Sequence, residues 1–334
     1  PEDGETDRLG CGHAEVHYTL GVCYLLENNT VMAAAALDRA LAKDPHHVSA
    51  LINRAKAAYE LSDYRKAAEC FQATYELEKN KDPEHLYHAA VALLLAKDST
   101  GSIVIFDRLL AEYPAQFQLP WRENLVHALL DAGLEKKALL HIRQLAAEYT
   151  GEKQKKWQEV LLNEYMHLDR YQEGLALATK LSEKDPSDAT WWRALVHIHL
   201  FQSSYKPALT SLVILSYLEP LKDQEQRLLA DLYLQLGVPK QATPVYSRIL
   251  KEDPSVRLLG NAVAALQMQG REEEAIRLID DCKMKTLPSE LLMRKADLLY
   301  QVGNFFEACA LYQEVARMNG KEKKRATQMA EYAR

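Results

Sequence analysis

The chain has 334 residues, 48% of them apolar and 26% charged, with a formal net charge of −6. That balance excludes a general attraction to nucleic acid or anionic lipid, and no apolar run reaches the roughly 18 residues needed to cross a bilayer. The 13 glycines and 12 prolines are too few for the turn-dense chain of an all-β fold.

The polar start PEDGETDRLG, without an initiator Met, reads as a tail over residues 1–13, and the end at Ala333-Arg334 falls inside a helical pattern. Both ends are those expected of an excised or processed piece. From residue 14 the sequence falls into units of about 34 residues. Their marker is a small residue expected on the second helix of each unit: Ala33, Ala67, Ser102, Ala138, Gly174, Ala208, Ala242, Ala275 and Ala308, spaced 34, 35, 36, 36, 34, 34, 33 and 33 apart. The units run 14–47, 48–82, 83–118, 119–154, 155–188, 189–222, 223–255, 256–288 and 289–320, and a capping helix follows over 321–334.

Other markers keep this phase. About five residues before the small residue stand turn formers, as at Asn28-Asn29, Ser62-Asp63, Gly133, Gly237, Gly270 and Gly303. Four residues after it stands a large one: Leu37, Phe71, Phe106, Ile142, Leu212, Tyr246, Ile279 and Tyr312. Pro45, Pro114, Pro186, Pro220 and Pro254 close units. Each unit therefore reads as helix, tight turn, helix. The turn residue takes the left-handed conformation that stops the first helix, and the small residue lets the second helix approach it. Proline cannot continue the second helix, so the chain reverses into the next unit. No unit buries its apolar face alone, and stacking joins these faces into one core.

YTLGVCYLLENNTVMAAAALDRALAKDP (Tyr18 to Pro45), LLADLYLQLGVPKQATPVYSRILKEDP (Leu228 to Pro254) and KADLLYQVGNFFEACALYQEVA (Lys295 to Ala316) resemble the tetratricopeptide-repeat (TPR) pattern. The resemblance covers about residues 14–320. It implies an all-α, right-handed TPR superhelix, an α-solenoid of about nine helix-turn-helix repeats plus a C-terminal helix. It also implies a non-catalytic scaffold that binds a peptide or protein segment in a concave groove. A narrower resemblance, carried by WRENLVHALLDAGLEKKAL, KWQEVLLNEYMHLDRYQEGLALATKL and WWRALVHIHLFQSSYKPALTSLVILSYLEPL, is to the TPR proteins that accompany TonB, ExbB and ExbD. It implies a periplasmic array assisting outer-membrane transport. The basic tail and the lack of an export signal depart from that pattern. The rival readings are a cytosolic assembly adaptor and a regulatory TPR arm of a larger enzyme.

In that family the first helix of each unit lines the concave face. The projected inner residues are Tyr18, Lys56, Tyr87, Glu123, His127, Asn163, Arg193, His197, Arg227, Asp231, Arg294 and Asp297. They are read as partner-binding, with ordinary solvated helix faces as the alternative at each position. Replacing Arg193 and Arg227 by Glu is then expected to weaken binding and leave melting unchanged. A clamp for a C-terminal carboxylate is excluded, because its positions hold Tyr18, Val22, Asn53, Glu84 and His88, and only Asn53 matches. Trp121, Trp157, Trp191 and Trp192 open units and read as core, with a binding anchor as the minority reading.

No cofactor or metal is expected. His13-Ala-Glu-Val-His17 is not in the H-E-x-x-H order of a zinc protease, and no phosphate-binding glycine loop or paired C-x-x-C occurs. Cys11, Cys23, Cys70, Cys282 and Cys309 are odd in number and scattered, and four of them sit in helical, largely apolar contexts, so they read as buried free thiols in place of a disulfide framework. The run Lys321-Glu-Lys-Lys-Arg325 reads as a solvated cap, with an anion patch as the alternative.

Overall fold

The computed structural model describes residues 10–252, 255–282, 286–318 and 320–332. Most of the 1–13 tail, Pro254, the side chain of Cys11 and the final Ala333-Arg334 lie outside the described residues.

The chain divides into two compact units, Pro1–Asp169 and Arg170–Arg334. The first holds α1 (Gly10–Leu26), α2 (Thr30–Lys43), α3 (Val48–Glu60), α4 (Tyr64–Leu77), α5 (Pro83–Leu95), α6 (Ser99–Glu112), α7 (Leu119–Asp131), α8 (Glu135–Glu148) and α9 (Gly151–His167), and a 3-10 turn lies at Pro114–Gln116. The second holds α10 (Tyr171–Lys184), α11 (Ala189–Phe201), α12 (Tyr205–Leu218), α13 (Asp223–Gln235), α14 (Pro239–Glu252), α15 (Val256–Gln267), α16 (Glu272–Asp280), α17 (Ser289–Gln301), α18 (Phe305–Arg317) and α19 (Lys323–Tyr332). No strand occurs among the described residues. Within each unit every helix packs chiefly on its neighbours in sequence, with slighter contacts between successive first helices such as α5 and α7 or α13 and α15. The fold is an all-α repeat solenoid.

The markers read from sequence do the packing expected of them. The nine small residues are all buried on the second helices, and Ala33, Ala67, Ser102, Ala138, Ala208, Ala242, Ala275 and Ala308 have no exposed surface. Of the large residues four positions on, Phe71 is the most exposed at 6%. In α1 the close approach needs a glycine as well: a Cβ on Gly21 would lie 2.7 Å from Leu37 Cγ.

The residue five before each small one has positive φ, from +54° at Ser203 to +84° at Gly303. There the amide N–H groups of two successive residues fold back onto carbonyls of the first helix, as Ser62 to Tyr59 and Asp63 to Ala58. This closes the helix with its last carbonyls satisfied. The next residue opens the second helix, and at Asn29, Asp63, Asp98 and Asn304 the side chain accepts an N–H from three residues on. Sequence reading missed Lys97, Asp169 and Ser203, which adopt the same conformation without a glycine or asparagine.

Boundaries shift in places. Helix α1 starts at Gly10, inside the expected tail, α9 starts at Gly151 rather than 155, and α19 starts at Lys323 rather than 321. Alanines 326 and 330 of α19 pack on Ala308, Tyr312 and Val315 and so close the second unit's apolar core. Within the expected cap, Arg325 is not merely solvated: its Nη2 donates to Asp297 Oδ2 at 2.8 Å. The four described cysteines are free thiols, but only Cys70 is buried, and Cys23 is exposed.

Candidate polypeptide-binding surface

The projected inner residues lie on α1, α3, α5, α7, α9, α11, α13 and α17, the first helices of their hairpins. Tyr87, Glu123, Arg193, Asp231 and Arg294 bond to the neighbouring repeat instead of standing open to a ligand. Tyr87 stacks on Trp121 at 5.3 Å, and its hydroxyl accepts Asn124 Nδ2 at 3.0 Å. Glu123 accepts the Trp157 indole N–H at 3.2 Å. Arg193 Nε donates to Glu225 Oε1 at 2.6 Å and its Nη2 to Glu219. Arg294 Nη1 donates to the Gly260 carbonyl at 2.6 Å.

Asp231 and Asp297 play one role in two hairpins. Each accepts the hydroxyl of the buried tyrosine fifteen residues on, Tyr246 at 2.6 Å and Tyr312 at 2.8 Å. Asp231 also accepts Asn261 Nδ2 at 2.9 Å. Burial first, then the aspartate, pushes both phenols far above their ordinary pKa. These carboxylates, expected from sequence to bind a partner, anchor buried tyrosines, and the shared fifteen-residue spacing is a signal that sequence reading did not use.

The remaining candidates differ. Tyr18 is half-buried, with its ring 4.7 Å from that of His47. Lys56, His127, Asn163 and His197 are exposed. Arg227 and Asp231 line a groove of about 260 Å³ between α13 and α15, closed on its far side by Arg257 and Asn261. In the first unit a wider groove of about 610 Å³ runs between α3 and α5, with Lys56, Tyr59 and Glu60 on one wall and Glu84 and His88 on the other. Phe71, 6% exposed, forms its floor. Sequence reading named Lys56, Glu84 and His88 but did not join them.

The tryptophans are structural, with Trp121, Trp157 and Trp191 buried and half-buried Trp192 donating to the Pro186 carbonyl at 2.8 Å. Glu15, between His13 and His17, faces His47 Nε2 at 3.0 Å. Burial raises the Cys70 thiol above its ordinary pKa, which disfavours the reactive thiolate. Among the described residues no group of three or more His, Cys, Asp or Glu is placed to hold a metal ion.

Residues 52–117, which contain the wider groove's two walls and floor, match the family model described as tetratricopeptide repeat. The fold is a TPR solenoid. Among solved structures, a tetratricopeptide repeat protein from Parabacteroides merdae is 13% identical, covers 75% of this chain and 98% of its own, and superposes with a TM-score of 0.42. The structure of Naa15/Naa10 bound to HypK-THB is 14% identical over 95% of this chain and 56% of that one, with a TM-score of 0.47. YrrB, described as a TPR protein with an unusual peptide-binding site, is 14% identical over 61% of this chain and 85% of its own, with a TM-score of 0.32. At such scores none of these likenesses bears on function. No curated protein matches the chain.

The TPR fold implies a protein-interaction scaffold. Within it, the arrangement offers two short grooves between first helices, one in each unit, whose walls mix charge with aromatic or aliphatic surface.

Proposed function

We propose that this chain is a non-catalytic scaffold that receives a segment of a partner polypeptide on the face of its first helices. The observation that carries this reading is the groove between α3 and α5. It lies within the TPR-matching stretch, is about 610 Å³ in volume, and exposes an aromatic side chain beside charged ones. Such a mixture suits a peptide, whose backbone and side chains ask for both. Nothing in the geometry favours TonB, ExbB or ExbD over any other polypeptide. The transport role and periplasmic placement rest on resemblance alone and form no part of the proposal.

A photo-crosslinking residue at Lys56, in the groove, and another at Glu69, exposed on α4, test the face directly. Adducts with a partner at position 56 and not at 69 are expected. Adducts at 69 alone would place the partner on the second helices and overturn the reading.

A further inference from the structure

The groove between α3 and α5 has a polarity that selects its occupant. Residues Ile52, Lys56, Tyr59 and Glu60 recur at the spacing that sets them along one side of α3. Facing them are Glu84 and His88 of α5, with Asp82 just before that helix. The lining therefore carries three carboxylates and one ammonium, a formal charge of −2 with neutral imidazoles. Burial holds the His88 imidazole below its ordinary pKa, which disfavours its charged form, and His85, also in the lining, has its Nδ1 3.0 Å from Glu78 Oε2.

The carboxylates differ in how far they are engaged. Asp82 caps α5 by accepting the Glu84 N–H at 3.0 Å, and Glu60 accepts Thr30 Oγ1 through one oxygen at 2.9 Å. Among the described residues, no hydrogen bond or ion pair holds the Glu84 carboxylate. Aromatic surface lies between the two walls. The Phe71 ring is 5.3 Å from that of His88, and Tyr59 is 39% exposed with its ring edge-on to Tyr64 at 5.4 Å.

We infer that this groove seats an arginine side chain of the partner polypeptide, its planar guanidinium over the Tyr59 ring and between the Glu60 and Glu84 carboxylates. A guanidinium suits the place better than an ammonium. It stacks on aromatic faces, sheds water more easily and presents several donors in one plane to acceptors on both sides. A second copy of this chain, with its net charge of −6, brings the wrong overall sign. This inference rests on the polypeptide-binding reading and adds to it the chemistry of one residue of the ligand.

The probes are two fluorescein-labelled peptides, Gly-Ser-Arg-Gly-Arg-Ser-Gly and the same sequence with glutamate for arginine. Binding is followed by anisotropy and by the Ile52 δ1-methyl resonance of ¹³C-labelled protein. Two double variants remove the same charge, Glu60→Gln with Glu84→Gln in the groove and Glu272→Gln with Glu273→Gln on α16, each checked by thermal melting. The arginine peptide is expected to move the Ile52 methyl. The groove variant should weaken it about tenfold, equivalent to 1.4 kcal/mol, and the α16 variant should leave it unchanged. Equal loss in both variants, equal binding of the glutamate peptide, or binding without movement of Ile52 would overturn the arginine seat. If the crosslinker at position 56 captures a partner segment that lacks arginine, the seat fails and the polypeptide-binding reading survives. If no partner is captured there, that reading fails first.

Discussion

At the scale of single residues, several groups on the projected face serve their neighbours, while Lys56, His127, Asn163 and His197 stay exposed. Sequence reading makes Arg193 dispensable to stability, yet it bridges Glu219 and Glu225, and the Glu225 side chain is 15% exposed. Replacing Arg193 by Glu would set three carboxylates together, so unchanged melting is not the expected result. Arg193→Ala should cost about 1–2 kcal/mol, between the values for exposed and buried pairs. Burial alone would raise the Glu225 pKa, but the Arg193 hydrogen bond, with that from the Lys222 N–H, outweighs it and holds the carboxyl below its ordinary value. A depressed folded pKa gives stability that is fully present above the unfolded value and lost as pH falls through the folded one. The stability gap between wild type and Arg193→Ala should therefore narrow below about pH 4. A gap that stays constant from pH 7 to pH 3 in urea titrations would show that the pair contributes no linked energy.

At the scale of the hairpin, the period was readable because it is written in steric requirements. A second helix can approach the first only where a small residue sits, and the chain can reverse only where one residue adopts positive φ. Turns built on glycine or asparagine announced themselves, whereas Lys97 and Ser203 did not, since tertiary packing imposes the conformation there against local preference. Lys97, at φ +62°, should gain about 0.5–1 kcal/mol on replacement by glycine. Gly133, at φ +69° with nothing within 4 Å of the place a Cβ would occupy, should lose a similar amount on replacement by alanine, from backbone strain alone. Thermal melts of the two variants should move in opposite directions. Helix α14 breaks a local rule more openly, carrying the exposed Pro244 in its interior. Proline there removes one backbone donor and crowds the carbonyl four residues back. Pro244→Ala should stabilise the second unit by about 1–3 kcal/mol. A lower melting temperature would mean that the proline does work its position does not reveal.

At the scale of the whole chain, each helix leans chiefly on its neighbours in sequence within its own unit, so a local lesion should stay local. Tyr312, fully buried on α18 between α17 and α19, is a suitable test. Tyr312→Ala should cost about 3–5 kcal/mol and speed amide hydrogen exchange in α17, α18 and α19. Exchange in α3 to α6 should stay at the wild-type rate, and a uniform increase would reveal one cooperative block. Fold class came through the sequence at this scale because nine weak signals repeat in phase. The engagement of the projected side chains did not, since projecting a face names residues without showing which are already bonded. Arg294 could not be tied to the Gly260 carbonyl by any pattern of residue types.

The bridges between successive first helices have a consequence for anyone rebuilding this array. Arg193 on α11 needs Glu225 on α13, and Asp231 on α13 needs Asn261 on α15. A hairpin transplanted by itself arrives with a donor or acceptor cut off from its counterpart, so grafts must travel as adjacent pairs. At Arg193, Asp231 and Arg294 the same coupling means that a substitution on the surface also loosens the joint between repeats.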